Sequence, residues 1–360
     1  MRNNHATGKN WALLTALTLC CMGALSLLRI PAAPLLGAIV ISIAFALRGM
    51  NLREPLILFH VGQNVVGCMM AASISSAVLA SMLDNWFLMA VSVVFAIVVG
   101  FCVGMYMTLR KLLPGTTGIW GASPGAAAAM TVMSEAYGAD MRLVAFMQYL
   151  RVVLIALSAV VVARAIGVDP QGQVMGGMGG GVEILRQLSD WSGFLPTLAL
   201  LLASGYLSRR FPFTGGPLLL PLFLGAALQG SGVMRITLPM PLLVTAYALL
   251  GWGIGLRFDR QIFFYALHVM PKILAAILVM MGSSACLAVP LVLLAGVDPL
   301  TAYLATSPGG MDSISIIAAS SGADLAFVMT IQAGRMILVT LISPPLARFA
   351  AMRVKARERG

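Results

Sequence analysis

The chain has 360 residues, of which 60% are hydrophobic and 10% are charged, and its formal net charge is +11. A soluble domain carries about 25% charged residues, so this composition excludes a soluble globular protein. Charge-free runs such as 86–109 are long enough to cross a bilayer, which takes about 20 residues. The Lys and Arg residues lie mostly in short loops and at the C-terminus, which is typical of cytoplasmic loops and does not indicate direct binding of nucleic acid.

The apolar runs divide the chain into two halves. Residues 1–166 form the first predicted membrane repeat, 167–191 a Gly-rich linker, 192–350 the second repeat and 351–360 a basic cytoplasmic tail. The predicted membrane segments of the first half are 11–28, 34–47, 55–79, 86–109 and 143–166. Those of the second half are 193–207, 217–228, 239–256, 273–294 and 325–349.

One stretch of the sequence occurs twice, and its two copies begin at Ser123 and Ser307. The spacing between these two residue positions is called the repeat offset. At this offset, residues 123–164 and 307–348 are identical at 13 of 42 aligned positions. The identities include Ser-Pro-Gly, then Gly-Ala-Asp, then a Gln and an Arg in Gln-x-x-Arg spacing. Apolar composition alone would not align Pro, Asp, Gln and Arg at one offset, so the sequence indicates an internal duplication.

The distribution of Lys and Arg bears on how the halves cross the membrane. If the duplicated element spans fully, each half has six spans, the halves are parallel and several Arg residues face outside. If that element is broken or re-entrant, each half crosses five times and the second half is inverted. Most of these Arg residues then face the inside. We therefore predict an all-α integral membrane fold of two inverted repeats, with about ten crossings plus two broken or re-entrant helices.

Ser-Pro-Gly is a typical helix start, because Ser is a favoured N-cap and Pro suits the first helical position. We expect helices to begin at Ser123 and Ser307, with Gly125 and Gly309 keeping the backbone open to a ligand. Broken helices at equivalent positions of two halves indicate a transporter site, whose helix N-termini favour anions. The alternative is a pair of ordinary helix starts at the membrane surface.

Two arginines lie deep in the predicted helices that follow. Arg151 and Arg335 lie near the bilayer centre, where an Arg is costly and normally faces protein or water. Gln148 and Gln332 precede them by three residues and share their helix face. These side chains form a pseudo-symmetric binding site for an anion such as a carboxylate, or tie each helix to a broken element through carbonyls or a carboxylate, and the two roles can coexist.

Four acidic residues accompany the repeats. Asp312 and Glu135 have no acidic counterpart at the repeat offset, and they are the candidate carboxylate partners of the arginines. Asp312 either caps a helix or couples transport to a cation or proton. Asp140 and Asp324 recur in Gly-Ala-Asp and are predicted to cap the closing helices.

With these motifs the chain resembles the AbrB family of polytopic membrane proteins. The resemblance rests on Pro-Ala-Ala-Pro-Leu-Leu-Gly-Ala at 31–38, Gly-Ala-Ser-Pro-Gly at 121–125, Thr-Ser-Pro-Gly-Gly at 306–310 and the paired Gln-x-x-Arg. It implies a regulator of gene expression or an ammonia monooxygenase, although no copper or iron ligand set supports the latter. More distantly the family is similar to the cation/proton antiporters and anion transporters, but this sequence lacks the paired-Asp ion site of the antiporters.

The leading functional expectation is secondary transport of a small, anionic solute across the bacterial inner membrane, by a multi-pass protein. We expect no enzymatic activity, no metal and no cofactor, with H⁺ or Na⁺ as the coupling ion. The expected partners are the lipid bilayer, the solute and further copies of the chain. The predicted site consists of Ser123, Gly125, Gln148, Arg151, Ser307, Gly309, Asp312, Gln332 and Arg335. The alternative is a membrane-bound regulator of gene expression that acts through solute levels or a partner.

Overall fold

The fold is taken from a computed structural model. It describes residues 2–27, 33–50, 52–72, 74, 76–125, 127–165, 193–211, 215–309, 314, 318 and 323–359. The regular secondary structure in these ranges is α-helical. The predicted linker 167–191 lies outside them, and so does Asp312.

The described part of the first half folds into eight helices. They are α1 (Arg2–Leu27), α2 (Ala33–Leu47), α3 (Leu56–Ala72), α4 (Ser76–Asp84), α5 (Trp86–Leu109), α6 (Thr117–Ala122), α7 (Ala127–Ala136) and α8 (Met141–Ala165).

The described part of the second half has six helices. They are α9 (Phe194–Arg210), α10 (Gly216–Gly230), α11 (Met240–Gly255), α12 (Arg260–Ala295), α13 (Pro299–Thr306) and α14 (Leu325–Arg359). The last of these continues through most of the predicted basic tail.

Helices α1 and α14 extend beyond the predicted segments 11–28 and 325–349, and two further predicted segments differ from the structure. The segment 55–79 is not one helix, because α3 ends at Ala72 and α4 begins at Ser76. At the break Ile74 is not helical, and its backbone N–H donates to the Ala71 carbonyl at 2.9 Å. The segment 273–294 is part of the longer helix α12, which continues through Pro271 and Pro290. The predicted segment 86–109 coincides with α5.

Helix ends recur at the repeat offset found in the sequence. The starts of α4 and α12 are separated by this offset, and so are the starts of α8 and α14. The ends of α6 and α13, at Ala122 and Thr306, show the same spacing.

The chain divides into two compact units, each drawn from both halves. The first unit comprises residues 1–75 and 185–267, and the second comprises 76–184 and 268–360. The compact units are defined by spatial contacts and the repeats by sequence similarity. The units therefore do not test the predicted repeat boundaries, which stay predictions.

Helices of one half pack against helices of the other inside the first unit. Helix α3 packs against α10, and α11 packs against α2. Two glycines related by the repeat offset permit these approaches: a Cβ on Gly67 would collide with the Leu218 carbonyl, and one on Gly251 would collide with Ala38. In the same unit, the Asn64 side chain ties α3 to α9, because it donates to one carbonyl of α9 at 3.3 Å and accepts from a Ser hydroxyl there at 3.0 Å.

The second unit is arranged around the two Gln-x-x-Arg helices. Helix α8 packs against α6 and α7, and α14 packs against α13, α4 and α5. Its largest buried side chains include Trp120 and Arg151. The unit therefore buries a charged side chain among its core residues.

Candidate functional site

Each Ser-Pro sequence ends a helix. Ser123 ends α6 with φ −63° and ψ 127°, and Ser307 ends α13 with φ −60° and ψ 135°. A residue before proline is excluded from the helical region by the proline ring and takes this extended conformation. The expectation that helices start at Ser123 and Ser307 is therefore wrong, because residues 123–125 and 307–309 are not helical and α7 begins only at Ala127.

The break frees backbone carbonyls, and Gln148 and Arg151 of α8 bind them. Gln148 Nε2 donates to the Trp120 carbonyl at 2.8 Å and to the Ser123 carbonyl at 3.1 Å. Arg151 Nη1 donates to the Ser123 carbonyl at 2.8 Å, and its Nη2 to the Gly125 carbonyl at 3.4 Å. Arg151 Nη2 also donates to Gln148 Oε1 at 2.6 Å, so the two side chains act as one clamp on the interrupted backbone.

The second copy repeats this clamp contact by contact. Gln332 Nε2 donates to the carbonyls of Leu304 at 2.8 Å and Ser307 at 3.2 Å. Arg335 donates to the Ser307 carbonyl at 2.7 Å, to the Gly309 carbonyl at 3.3 Å and to Gln332 Oε1. Donors, acceptors and hydrogen-bond lengths therefore correspond closely between the two copies.

Each break also touches the Arg helix of the other copy. The hydroxyls of Ser123 and Ser343, a residue of α14, lie 2.7 Å apart. A Cβ on Gly309 would lie 3.0 Å from Ile155 of α8. The hydroxyl of Ser158 on α8 also lies 2.7 Å from that of the Tyr on α13. The two clamps are therefore parts of one packed region.

The clamps bury two positive charges. Arg151 is 1% exposed and Arg335 is 4% exposed. Their hydrogen bonds go to carbonyls and a Gln, and in the part of the chain that the structure describes no carboxylate forms an ion pair with either. Arg335 is close enough for its charge to act on Arg151. Two further donors, Arg151 Nε and Trp120 Nε1, are buried without an acceptor among the described residues.

The predicted acidic residues have separate roles. Asp140 and Asp324 precede α8 and α14, and their carboxylates accept from backbone N–H groups in the first turns of those helices, each at 3.0 Å. Their predicted capping role is confirmed. Glu135 is exposed at the end of α7, and none of the contacts of Arg151 goes to it. Asp312 lies outside the described residues.

The structure adds residues that the sequence analysis had not included. Thr117 Oγ1 accepts from the Asp140 backbone N–H at 3.1 Å, and Thr301 Oγ1 accepts from that of Asp324 at 2.9 Å. These threonines are related by the repeat offset and lie just before the two aligned stretches. Extending the alignment towards the N-terminus would therefore have found them. Nothing in the sequence pairs Ser123 with its partner on α14.

These features define an all-helical class of protein whose described part contains candidate membrane spans. By length and composition, four described helical segments are long and apolar enough to cross a membrane: Gly8–Leu27, Trp86–Leu109, Arg260–Ala295 and Leu325–Ala350. A family model described as "Transition state regulatory protein AbrB" matches residues 35–351. The chain belongs to the AbrB family.

Two relatives share most of its length. The chain is 38% identical over 344 residues to "Putative regulator AbrB" of Escherichia coli strain K12, covering 94% of this chain and 96% of the relative. It is 24% identical over 302 residues to "Uncharacterized protein YhjN" of Bacillus subtilis strain 168, covering 80% of this chain and 77% of the relative. No solved structure matches the chain.

Proposed function

We propose that the chain is a secondary transporter of a small anionic solute across the bacterial inner membrane, with H⁺ or Na⁺ as the coupling ion. The observation that carries the proposal is the pair of buried guanidinium groups, which form no ion pair with any described carboxylate. A buried charge is expensive unless it is paired, and truncating one partner of a buried pair costs about 3–5 kcal/mol. A bound anion would supply a negative charge that the described residues do not place against either group.

The hydrogen-bond donors favour the same kind of ligand. Arg151 Nε–H and Trp120 Nε1–H are buried and lack an acceptor among the described residues. An unsatisfied buried donor costs about 1–3 kcal/mol, and more when it is charged. A carboxylate or similar oxyanion offers several acceptor lone pairs, so it would satisfy donors and charge together.

The transport proposal includes an inverted-repeat topology of about ten crossings plus two broken helices. Recurring helix ends and matched clamps support a duplicated unit. Irregular backbone at membrane depth is tolerated where it is buried in protein or lines a cavity, and paired broken helices at equivalent positions are typical of transporter sites. The Gln-Arg clamps would hold each break in register while solute binds beside it.

The structure is closed at the first break. The cavity beside Ser123 and Ser343 has a volume of about 10 Å³. That is close to the smallest volume that holds one water molecule. A transported solute therefore requires this region to open, as alternating access demands.

Topology can be tested with one pair of cysteines at equivalent positions. Ala139 and Ala323 are partly exposed, are related by the repeat offset and each precede a capping Asp. In a background without the five native cysteines, inverted repeats predict that Ala139→Cys is labelled by an impermeant maleimide from the inside and Ala323→Cys from the outside. Labelling of both from one side would refute the inversion.

Transport can be tested in proteoliposomes. Flux of acetate, succinate or phosphate is measured under an imposed pH or Na⁺ gradient for the wild type, Arg151→Ala and Arg335→Ala. Both variants should lose the flux while remaining in the membrane fraction. The matched control is Arg142→Ala, on the same helix as Arg151. Arg142 forms a partly exposed ion pair with Asp140, which contributes about 0–1 kcal/mol. Wild-type flux in both clamp variants would refute the proposed site.

A second candidate function rests on the comparisons. The family model and the E. coli relative carry regulator names, which favours a membrane-bound regulator acting through solute levels or a partner. Deleting residues 353–360 distinguishes the two candidates. A regulator that signals through this basic segment should lose its effect on gene expression, whereas a transporter should keep its flux.

A further inference from the structure

A polar cavity lies within the first compact unit. Its volume is about 430 Å³, which is within the range of small-molecule sites. It is formed by the end of α2, the segment leading into α3 and the end of α11. Its side-chain lining is centred on Arg53, Glu54, Phe59, Trp252 and Arg257.

Glu54 is the unusual group of this cavity. Both of its carboxylate oxygens are buried, and neither has a hydrogen-bond partner among the described residues. Its Oε2 approaches the backbone of α11 so closely that a Cβ on Gly253 would lie 2.7 Å from it. The same Cβ would collide with the Phe59 ring. Gly253 therefore leaves the space in which the carboxylate sits, and the carboxylate still requires donors.

Two guanidinium groups border the same cavity. Arg257 lies over the Phe59 ring, 5.4 Å from its centroid, and its charge acts on Glu54. Arg53 is exposed beside Glu54 in the sequence. Among the lining residues these two arginines and Glu54 are the charged groups. The cavity thus presents one acceptor group without donors next to two groups that favour an anion.

We propose that this cavity binds a zwitterion that carries a primary ammonium for Glu54 and a phosphate or carboxylate for Arg53 and Arg257. A primary ammonium brings three N–H donors, which match the two unsatisfied carboxylate oxygens. Guanidinium groups match phosphate and carboxylate in charge and geometry. The ligand has two sources with this chemistry: a phosphoethanolamine lipid headgroup or a free zwitterion of the same kind.

Burial gives the site a pH signature. Desolvation raises the pKa of Glu54 to about 8, against the opposing charge of Arg257. An ammonium binds the ionised carboxylate, so binding displaces a proton and is weaker at pH 6 than at pH 8.5. Replacing the carboxyl by an amide should remove that dependence.

The experiment compares headgroups that share a phosphate and a positive charge and differ in the three N-methyl groups that remove the donors of the ammonium. The full-length protein is placed in nanodiscs of phosphatidylglycerol mixed with phosphatidylethanolamine or phosphatidylcholine, and retained lipids are counted by native mass spectrometry. In a parallel arm, soluble phosphoethanolamine, phosphocholine and inorganic phosphate are titrated into protein in phosphatidylglycerol nanodiscs. The quaternary ammonium of choline cannot donate a hydrogen bond, so it tests the ammonium contact alone.

The expected result is selective binding of the ethanolamine compound in at least one arm. Glu54→Gln should weaken it at least tenfold and flatten its pH dependence, and Arg53→Gln, at an exposed position, should weaken it without impairing folding. Asp84→Asn, an exposed acid outside the cavity, should bind like the wild type. Binding in the nanodisc arm alone identifies the lipid headgroup, and binding in the soluble arm alone identifies a free zwitterion.

Several results would overturn the proposal. One is equal binding of the ethanolamine and choline compounds, and another is binding of inorganic phosphate as tight as that of phosphoethanolamine. Wild-type binding by Glu54→Gln would overturn it as well, and so would the absence of ethanolamine binding in both arms.

Discussion

Replacing Gln148 by leucine removes the centre of the first clamp. The Trp120 carbonyl loses its donor at 2.8 Å, and Arg151 Nη2 loses its shorter hydrogen bond, at 2.6 Å, and keeps only the longer one to the Gly125 carbonyl. The Ser123 carbonyl keeps the guanidinium as a donor. Leucine cannot replace either contact, and because the Gln148 side chain is 0% exposed, water at the surface cannot replace it either.

The size of the effect follows from the two contacts that are lost. The Trp120 carbonyl left without a donor costs about 1–3 kcal/mol, and a hydrogen bond to a charged group contributes about 1.5–3 kcal/mol, so Gln148→Leu should lower the unfolding free energy by about 3–5 kcal/mol. Gln332→Leu should cost about the same, because its contacts reproduce those of Gln148 one by one. The equality of the two losses is the sharper part of the prediction.

The assay is reversible unfolding in mixed detergent and SDS micelles, followed by far-UV circular dichroism. Gln261→Leu is the matched control, since Gln261 is exposed on α12 and a surface substitution stays within about 0.5 kcal/mol. A loss below about 1 kcal/mol at either clamp would refute the reasoning, because it would be less than the cost of one unsatisfied buried group. A loss at one clamp more than twice that at the other would show that matched contacts do not carry matched energies.

Further predictions concern helix packing and the caps. Gly67→Ala and Gly251→Ala should each destabilise the protein by about 1–3 kcal/mol in the same assay, because the added methyl groups overpack the crossings of α3 with α10 and of α11 with α2. The control is Gly282→Ala, whose added methyl group meets nothing within 4 Å and which should be neutral or stabilising. A loss of stability in Gly282→Ala equal to that of the other two variants would contradict this prediction. Desolvation raises the pKa of Asp140. This effect is outweighed by the hydrogen bond and charge of Arg142 and by the backbone N–H groups, so the pKa lies below the ordinary 3.8. The stability advantage of the wild type over Asp140→Asn should therefore be present above about pH 4 and disappear as the pH falls below that value; an advantage independent of pH would contradict the ionised cap.

Local sequence rules predicted much of this structure. The charge-free run at α5 has the length of a membrane span, and its predicted ends are those observed. The Gly-Ala-Asp sequences predicted two helix caps, because a carboxylate before a helix has a specific local role. The Gln-x-x-Arg spacing placed both side chains on one helix face, where the structure has them.

Other features depended on contacts distant in sequence. Ser before Pro is compatible with a helix cap or with a break, and the side chains that bind its carbonyl come from 25 and 28 residues later. Glu54 stands in a short loop between Arg53 and Pro55, and its burial comes from Gly253 on a helix of the other half. No periodicity encodes either environment.

We propose that a bound anion neutralises the two buried guanidinium groups. The most direct measurement is the unfolding free energy of the purified protein with acetate, succinate or phosphate, and with acetamide and succinamide as neutral controls. An anion at 100 times its Kd should stabilise the wild type by about 2.7 kcal/mol, and this gain should vanish in Arg151→Met and Arg335→Met. Equal stabilisation by the amides, an unchanged gain in both Met variants, or no gain from any of the anions would contradict the account.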